Sequence, residues 1–140
     1  MIVKNNGTAE YQLAVVVDDA EAGVDAIVRG DDLLESAARQ IHLRRLLGIG
    51  PEPRYWHLPL VVGPDGRRLA KRHGDTRLSR YRQSGTSPNR VLGLLGYWSG
   101  ILPRRREADL NELREKFDIA RLPSRPVVFA AEDEEFLLGR

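Results

Sequence analysis

The sequence predicts an α/β fold: strands alternate with helices in the first half, and the second half is mainly helical. Three observations carry this. Residues 11–17, 26–28 and 57–62 are short apolar runs rich in Val, Ile and Leu, without strict alternation, as in strands buried on both faces. An amphipathic segment lies over residues 31–47, between the second and third runs. After residue 75 the helix start and stop signals become dense.

In chain order, the run from Tyr11 to Val17 is expected to be a buried strand ended by Asp18 and Asp19, with a turn at Gly23. Ala26–Val28 is a second strand leading into Arg29 and Gly30. The helix over 31–47 opens on Asp32 and Glu35, spaced like a capping box. Leu34, Ala37, Ala38 and Ile41 form its apolar side, closed by Leu46 and Leu47. Arg44 and Arg45 suit the negative end of the helix dipole, and Gly48 supplies the stop. Pro51 and Pro53 keep the chain extended before the strand over 57–62. Pro64-Asp65-Gly66 is a turn, and residues 67–72 are a basic loop or hairpin arm. Asp75 and Thr76 can cap a short helix through Tyr81 that stops near Gly85. Ser87-Pro88 opens a helix through Leu92, Leu95 and Trp98. A further helix runs over 109–117, with Asp109 and Glu112 spaced for capping.

Composition excludes several classes of chemistry. The 140 residues suffice for one domain, and 41% hydrophobic with 30% charged residues fits a globular chain. The absence of cysteine removes disulfides, zinc–thiolate sites and cysteine nucleophiles. No run reaches the ~20 apolar residues of a membrane helix, and the first residues do not read as a secretory signal. His42, His57 and His73 lack metal-ligand spacing, so no metal site is expected within the chain. Walker and dinucleotide-type glycine loops are absent.

The net charge of +2 conceals a strong asymmetry. Residues 1–66 hold 6 basic and 10 acidic side chains, residues 67–106 hold 11 and 1, and residues 107–140 hold 5 and 9. The central block of +10 suggests a polyanion site, with a solvated basic surface as the alternative. Within it, Arg104-Arg105-Arg106 reads first as a solvated linker and second as an RNA-backbone contact. Lys71, one of three lysines against nineteen arginines, lies between Gly66 and Gly74, where a loop could close over a triphosphate; an exposed hairpin is the plainer reading. Arg29 ends a strand just before a helix N-terminus, which favours a carboxylate or phosphate; a salt bridge to Asp31 or Asp18 is equally compatible. Tyr11 reads as a core residue, or else as the wall of a small-ligand site. His57 has no partner pattern for a nucleophilic triad.

Several segments combine. Tyr11-Gln12-Leu13-Ala14-Val15-Val16-Val17-Asp18-Asp19, Gly23-Val24, Val28-Arg29-Gly30-Asp31-Asp32-Leu33-Leu34, Arg39-Gln40, His57-Leu58-Pro59-Leu60 and Leu69-Ala70-Lys71-Arg72-His73-Gly74 occur in this order. Together they resemble the second half of a class I glutamyl-tRNA synthetase catalytic domain, in order and spacing over residues 7–75 and more loosely beyond. Within that family the likeness is greatest to the short, stand-alone glutamyl-Q tRNA(Asp) synthetases. The resemblance implies the second half of a Rossmann-like nucleotide-binding fold followed by a helical tail. Residues 1–75 would be the α/β half with the ATP loop and 76–140 a mainly helical region, all within one partial catalytic domain.

The resemblance also implies roles. Tyr11 and Arg29 would hold glutamate, and His57-Leu58 would lie beside the adenine of ATP. Arg68-Leu69-Ala70-Lys71 would be the ATP loop, with Lys71 as its catalytic, phosphate-binding lysine. Glutamate and ATP would give glutamyl-adenylate and pyrophosphate, with magnesium accompanying the ATP, and glutamate would pass to queuosine of tRNA(Asp), in the cytoplasm. The loop differs from the family pattern in carrying Arg68 for a lysine and Ala70 for a serine. The family's His-Ile-Gly-His-like segment has no counterpart here, so the chain is expected to be a C-terminal part, with supply of the other half by a partner chain in trans left open. Alone, it is then expected to be unstable or self-associating, without useful glutamate-dependent ATP–pyrophosphate exchange. The alternatives are part of an ordinary glutamyl-tRNA synthetase, which continues into a large anticodon-binding region, and a non-catalytic remnant that binds ATP or tRNA.

Overall fold

Two compact units, Met1–Leu58 and Pro59–Arg140, make up the chain in a computed structural model that describes residues 5, 7–69 and 76–140. The proline that opens the second unit has no N–H for a strand ladder. The strand expected over 57–62 is accordingly split on either side of Pro59-Leu60.

The first unit holds α1 (Tyr11–Glu21), β1 (Ala26–Gly30), a 3-10 turn (Asp31–Leu33), α2 (Leu34–Leu46) and β2 (Arg54–Leu58). β1 and β2 pair in parallel, from Ala26 opposite Arg54 to Gly30 opposite Leu58. Parallel neighbours need a long crossover, and the 3-10 turn with α2 provides it, making a βαβ unit. The second and third expected strands are therefore present. The first is not: Tyr11 to Val17 begins α1. Its three valines cost a helix only tenths of a kcal/mol each. Asp18, Asp19, Ala20 and Glu21 prolong the helix past the apolar run, and α1 packs on α2.

α2 differs from expectation in its start and its buried face. The 3-10 turn comes first, and Leu33 occupies the N-cap position, so Asp32 and Glu35 do not form a capping box there. Ser36, Ala37, Gln40 and Arg44 face inward, whereas Leu34, Leu46 and Leu47 are exposed. Polar side chains can occupy a buried face when they are hydrogen-bonded; Ser36, Gln40 and Arg44 each make at least one such bond, although Arg44 Nε makes none among the described residues. The helix ends as its sequence dictates, with Arg44 and Arg45 in the last turn and Gly48 in the left-handed conformation, φ 67°.

The second unit holds β3 (Val61–Val62), α3 (Leu78–Gln83), α4 (Pro88–Trp98), α5 (Leu110–Lys116), a 3-10 turn (Ile119–Arg121), β4 (Val127–Val128) and α6 (Ala131–Leu138). β3 and β4 pair in parallel, and Val62 also bridges Arg68 in antiparallel fashion, as a short hairpin arm would. Two of the predicted caps form: the Ser87 hydroxyl accepts the N–H of Asn89 and the Asp109 carboxylate accepts that of Glu112, at 3.2 and 3.0 Å, whereas Arg77 rather than Thr76 holds the N-cap position of α3, without a side-chain capping bond. β4 and α6 were not legible in advance. Tyr81, Leu94, Phe129 and Leu137 form one core cluster, with Trp98 edge-on to Phe129 at 6.0 Å. Leu102, Ala108 and Leu113 form a second, beneath the other side of α4.

Candidate functional site

Arg29 is the centre of the first unit's polar structure. Its position in β1 places it directly opposite His57 in β2, with Ile27 opposite Tyr55 two residues earlier on the same face. The Arg29 Nε donates to His57 Nε2 at 3.2 Å, Nη1 donates to Gln40 Oε1 at 2.7 Å, and Nη2 donates to the carbonyl of Leu33 at 3.2 Å. The guanidinium also lies over the Tyr55 ring, 5.2 Å from its centroid, and Tyr55 in turn stacks with His57. The bonds of Arg29 thus run to neutral groups rather than to Asp31 or Asp18.

Gln40 is almost fully buried, with 2% of its surface exposed. Its Nε2 donates to Gln12 Oε1 at 2.8 Å, and Gln12 Nε2 donates to Ser36 Oγ at 3.1 Å. One continuous chain of hydrogen bonds therefore runs from Ser36 through Gln12 and Gln40 to Arg29. Burial pushes the Tyr55 hydroxyl up from its ordinary value, against the opposing pull of the Arg29 and Arg44 charges.

A guanidinium has five N–H donors. The three bonds described leave one N–H on each terminal nitrogen of Arg29. A fixed cationic fork with a donor free on each arm suits a planar anion such as a carboxylate. The neighbouring 3-10 turn adds the acidic Asp31 and Asp32.

The other expected site residues fall as follows. Tyr11 is the first residue of α1 and 55% exposed, one position before Gln12. Leu58 ends β2, opposite Gly30. Arg68 and Leu69 belong to the second unit, where Arg68 bridges Val62 and Leu69 packs on the Tyr81 core. Lys71 lies outside the described residues, as do Ala70 and Asp75. Gln12, Ser36, Gln40 and Tyr55 were not anticipated as site residues. The available signal was spacing: 37, 40 and 44 share one face of a helix, so a glutamine at 40 is carried inward with Ala37.

The arginine run behaves structurally in part. Arg105 Nε binds Asp133 Oδ1 at 2.6 Å, its guanidinium lies over Tyr97, and Arg106 pairs with Glu112. Arg80 pairs with Glu134 and Arg90 with Glu107. Among the described residues there is no group of three or more His, Asp or Glu that could hold a metal ion, and no helix long and apolar enough to cross a membrane.

Comparison with known proteins gives these features a context. Residues 1–133 match the family described as tRNA synthetases class I (E and Q), catalytic domain. The chain is 49% identical over 139 residues to a glutamyl-Q tRNA(Asp) synthetase of Symbiobacterium thermophilum, covering 99% of this chain and 43% of that protein. It is 40% identical over 131 residues to a glutamate–tRNA ligase of Rubrobacter xylanophilus, covering 92% of this chain and 30% of that one. The fold matches a crystal structure of a glutamate tRNA ligase from Elizabethkingia meningosepticum with TM-score 0.77 at 24% identity, over 97% of this chain and 31% of that chain. The chain thus spans less than half the length of the curated relatives it matches. On the strength of a match covering almost its whole length, it belongs to the class I tRNA synthetase catalytic-domain family for glutamate and glutamine.

Proposed function

We propose that the chain contributes the glutamate-binding and ATP-closing part of a glutamyl-Q tRNA(Asp) synthetase, a cytoplasmic ligase that activates glutamate with ATP. The observation that carries this is the Arg29 fork: a cation held by neutral partners, with one donor free on each terminal nitrogen.

In this reading Arg29 binds the side-chain carboxylate of glutamate and Tyr11 walls the same site. The α-carboxylate is left as the nucleophile. One of its oxygens attacks the α-phosphorus of ATP, the bond to the β-phosphate oxygen breaks, and pyrophosphate leaves. The acyl group of the adenylate then passes to the acceptor and AMP departs. The His57-Leu58 segment sits beside adenine, and Arg68, Leu69 and Lys71 serve the phosphates; magnesium arrives with the ATP. Residues 1–75 act as the α/β half and 76–140 as the helical region of one partial catalytic domain. Identity of 49% to the glutamyl-Q relative against 40% to the ordinary ligase supports queuosine of tRNA(Asp) as the acceptor.

A chimera tests the proposal. This chain replaces the matching segment of the Symbiobacterium relative. Expected are glutamate-dependent ATP–pyrophosphate exchange, loss of that exchange in Arg29→Ala, and transfer of labelled glutamate to queuosine-containing tRNA(Asp). Transfer to the 3′ end instead would identify an ordinary glutamyl-tRNA synthetase segment. A folded chimera without exchange would overturn the activity itself.

A further inference from the structure

We propose that Gln40 and Gln12 are positioning residues that hold the Arg29 guanidinium in place while leaving its charge uncompensated for a substrate carboxylate. This rests on the reading of Arg29 as the glutamate-binding arginine.

The direction of the hydrogen-bond chain follows from donor chemistry alone. Arginine only donates, so the oxygen of the Gln40 amide must face Arg29, as it does at 2.7 Å. The Gln40 nitrogen is thereby turned toward Gln12, which must present its own oxygen, at 2.8 Å. The Gln12 nitrogen then faces the Ser36 hydroxyl at 3.1 Å. Neither amide can flip without setting donor against donor or oxygen against oxygen, so both orientations are locked. The lock joins α1 to α2 at one end and α2 to β1 at the other, with Gln40 enclosed between them. His57 completes it from β2, accepting at Nε2 and therefore keeping its proton on Nδ1.

A carboxylate in place of the Gln40 amide would hold the guanidinium equally well. It would also form an ion pair with it and compete with any anionic ligand. Every partner around Arg29 that the hydrogen bonds identify is instead a neutral acceptor: an imidazole nitrogen, an amide oxygen and a backbone carbonyl. A purely structural role for Arg29 would gain from an acidic partner at this buried position. The neutral set keeps the cation oriented and unpaired, which is what recognition of a carboxylate requires.

The test uses the 140-residue chain labelled with 15N. Arg29→Lys identifies the Arg29 side-chain signals. In the unmodified chain the Arg29 Nε–H is expected to exchange slowly with water and its guanidinium to rotate slowly. Gln40→Glu is expected to preserve both, and Gln40→Leu and Gln12→Leu to lose both while the backbone spectrum stays folded. If Gln40→Leu fails to fold, Gln12→Leu reads the same relay one bond further out. L-Glutamate titration of the Symbiobacterium chimera, carrying the same substitutions, supplies the second readout. Gln40→Glu is expected to weaken binding roughly tenfold or more despite an intact fold, the equilibrium counterpart of one charge-assisted hydrogen bond. Unchanged Arg29 dynamics in both leucine variants would overturn the positioning role. Unchanged glutamate affinity in Gln40→Glu would overturn the role of the neutral partner. If glutamate does not bind, or binds equally well to Arg29→Ala, the glutamate reading itself fails, and the Arg29 signals alone decide whether the relay positions it.

Discussion

Asp133 shows how one side chain can organise a terminus. It is fully buried in α6, one oxygen binding Arg105 and the other accepting the N–H of Ala130 at 2.8 Å. Removing Asp133 leaves the Ala130 N–H without its acceptor and the half-buried Arg105 without its counter-ion, so Asp133→Ala is expected to cost about 2 kcal/mol in urea unfolding. The Arg105→Met/Asp133→Leu double variant should lose less than its two single variants summed. Glu112 gives a pH signature. Hydrogen bonds from Arg106 and Lys116 lower its carboxyl to about 2. Because the folded value lies below the unfolded one, the contribution is fully present above the ordinary carboxylate range and disappears as pH falls toward 2. The stability difference between the unmodified chain and Glu112→Gln should therefore be constant near neutrality and vanish across that acidic window in pH-dependent thermal melts. The place of Arg29 near a strand end was readable from the sequence. Its partners were not, because hydrogen-bond partners depend on which helix face turns inward.

At the scale of elements, α4 depends on the residues it lacks. A Cβ on Gly93 would overlap the backbone carbonyl of Arg106, and one on Gly96 would sit 2.6 Å from Leu113 Cδ2. The segment joining α4 to α5 lies directly on the helix at these two glycines. Gly93→Ala would gain about 1 kcal/mol in helix propensity, but the clash is with backbone and cannot be relieved by a rotamer change. A net loss of about 2 kcal/mol is expected, seen as a lowered melting temperature with helix content retained. The helices with explicit caps, α4 and α5, were legible because Ser87 and Asp109 act within three residues of themselves. α1 was misread as a strand because a run of seven apolar-rich residues fits a buried strand and a buried helix alike; only the polar continuation through Glu21 separates them. The apolar stripe of α2 was assigned to the wrong face for a related reason. Its inward polar residues bond to Gln12, Arg29 and the carbonyl of Pro51, none of which is visible from local periodicity.

For the molecule as a whole, the two units differ in what fills them. In the first, the buried apolar residues among those described are Val16, Ala37 and Pro53, accompanied by Ser36, Gln40 and Arg44, while Val28 in β1 is 60% exposed. The second has two apolar clusters built around Leu94 and Leu113. Hydrogen exchange should therefore show amides of β1 and α2 opening at lower free energy than those of α4, whereas equal protection in both units would contradict this. The α/β class was legible in the sequence; the division into units was not, since it turns on which contacts form.

The charge asymmetry acquires a different meaning from the ion pairs. Arg80, Arg90, Arg105 and Arg106 are each engaged by an acid from residues 107–134, so four of the eleven basic side chains in the central block are already charge-paired within the chain. Each phosphate neutralised by a protein cation displaces condensed counterions, so the steepness with which affinity falls as salt rises counts the contacts made. Measured on tRNA, that steepness should increase when Glu107 is replaced with glutamine, which removes the carboxylate paired with Arg90.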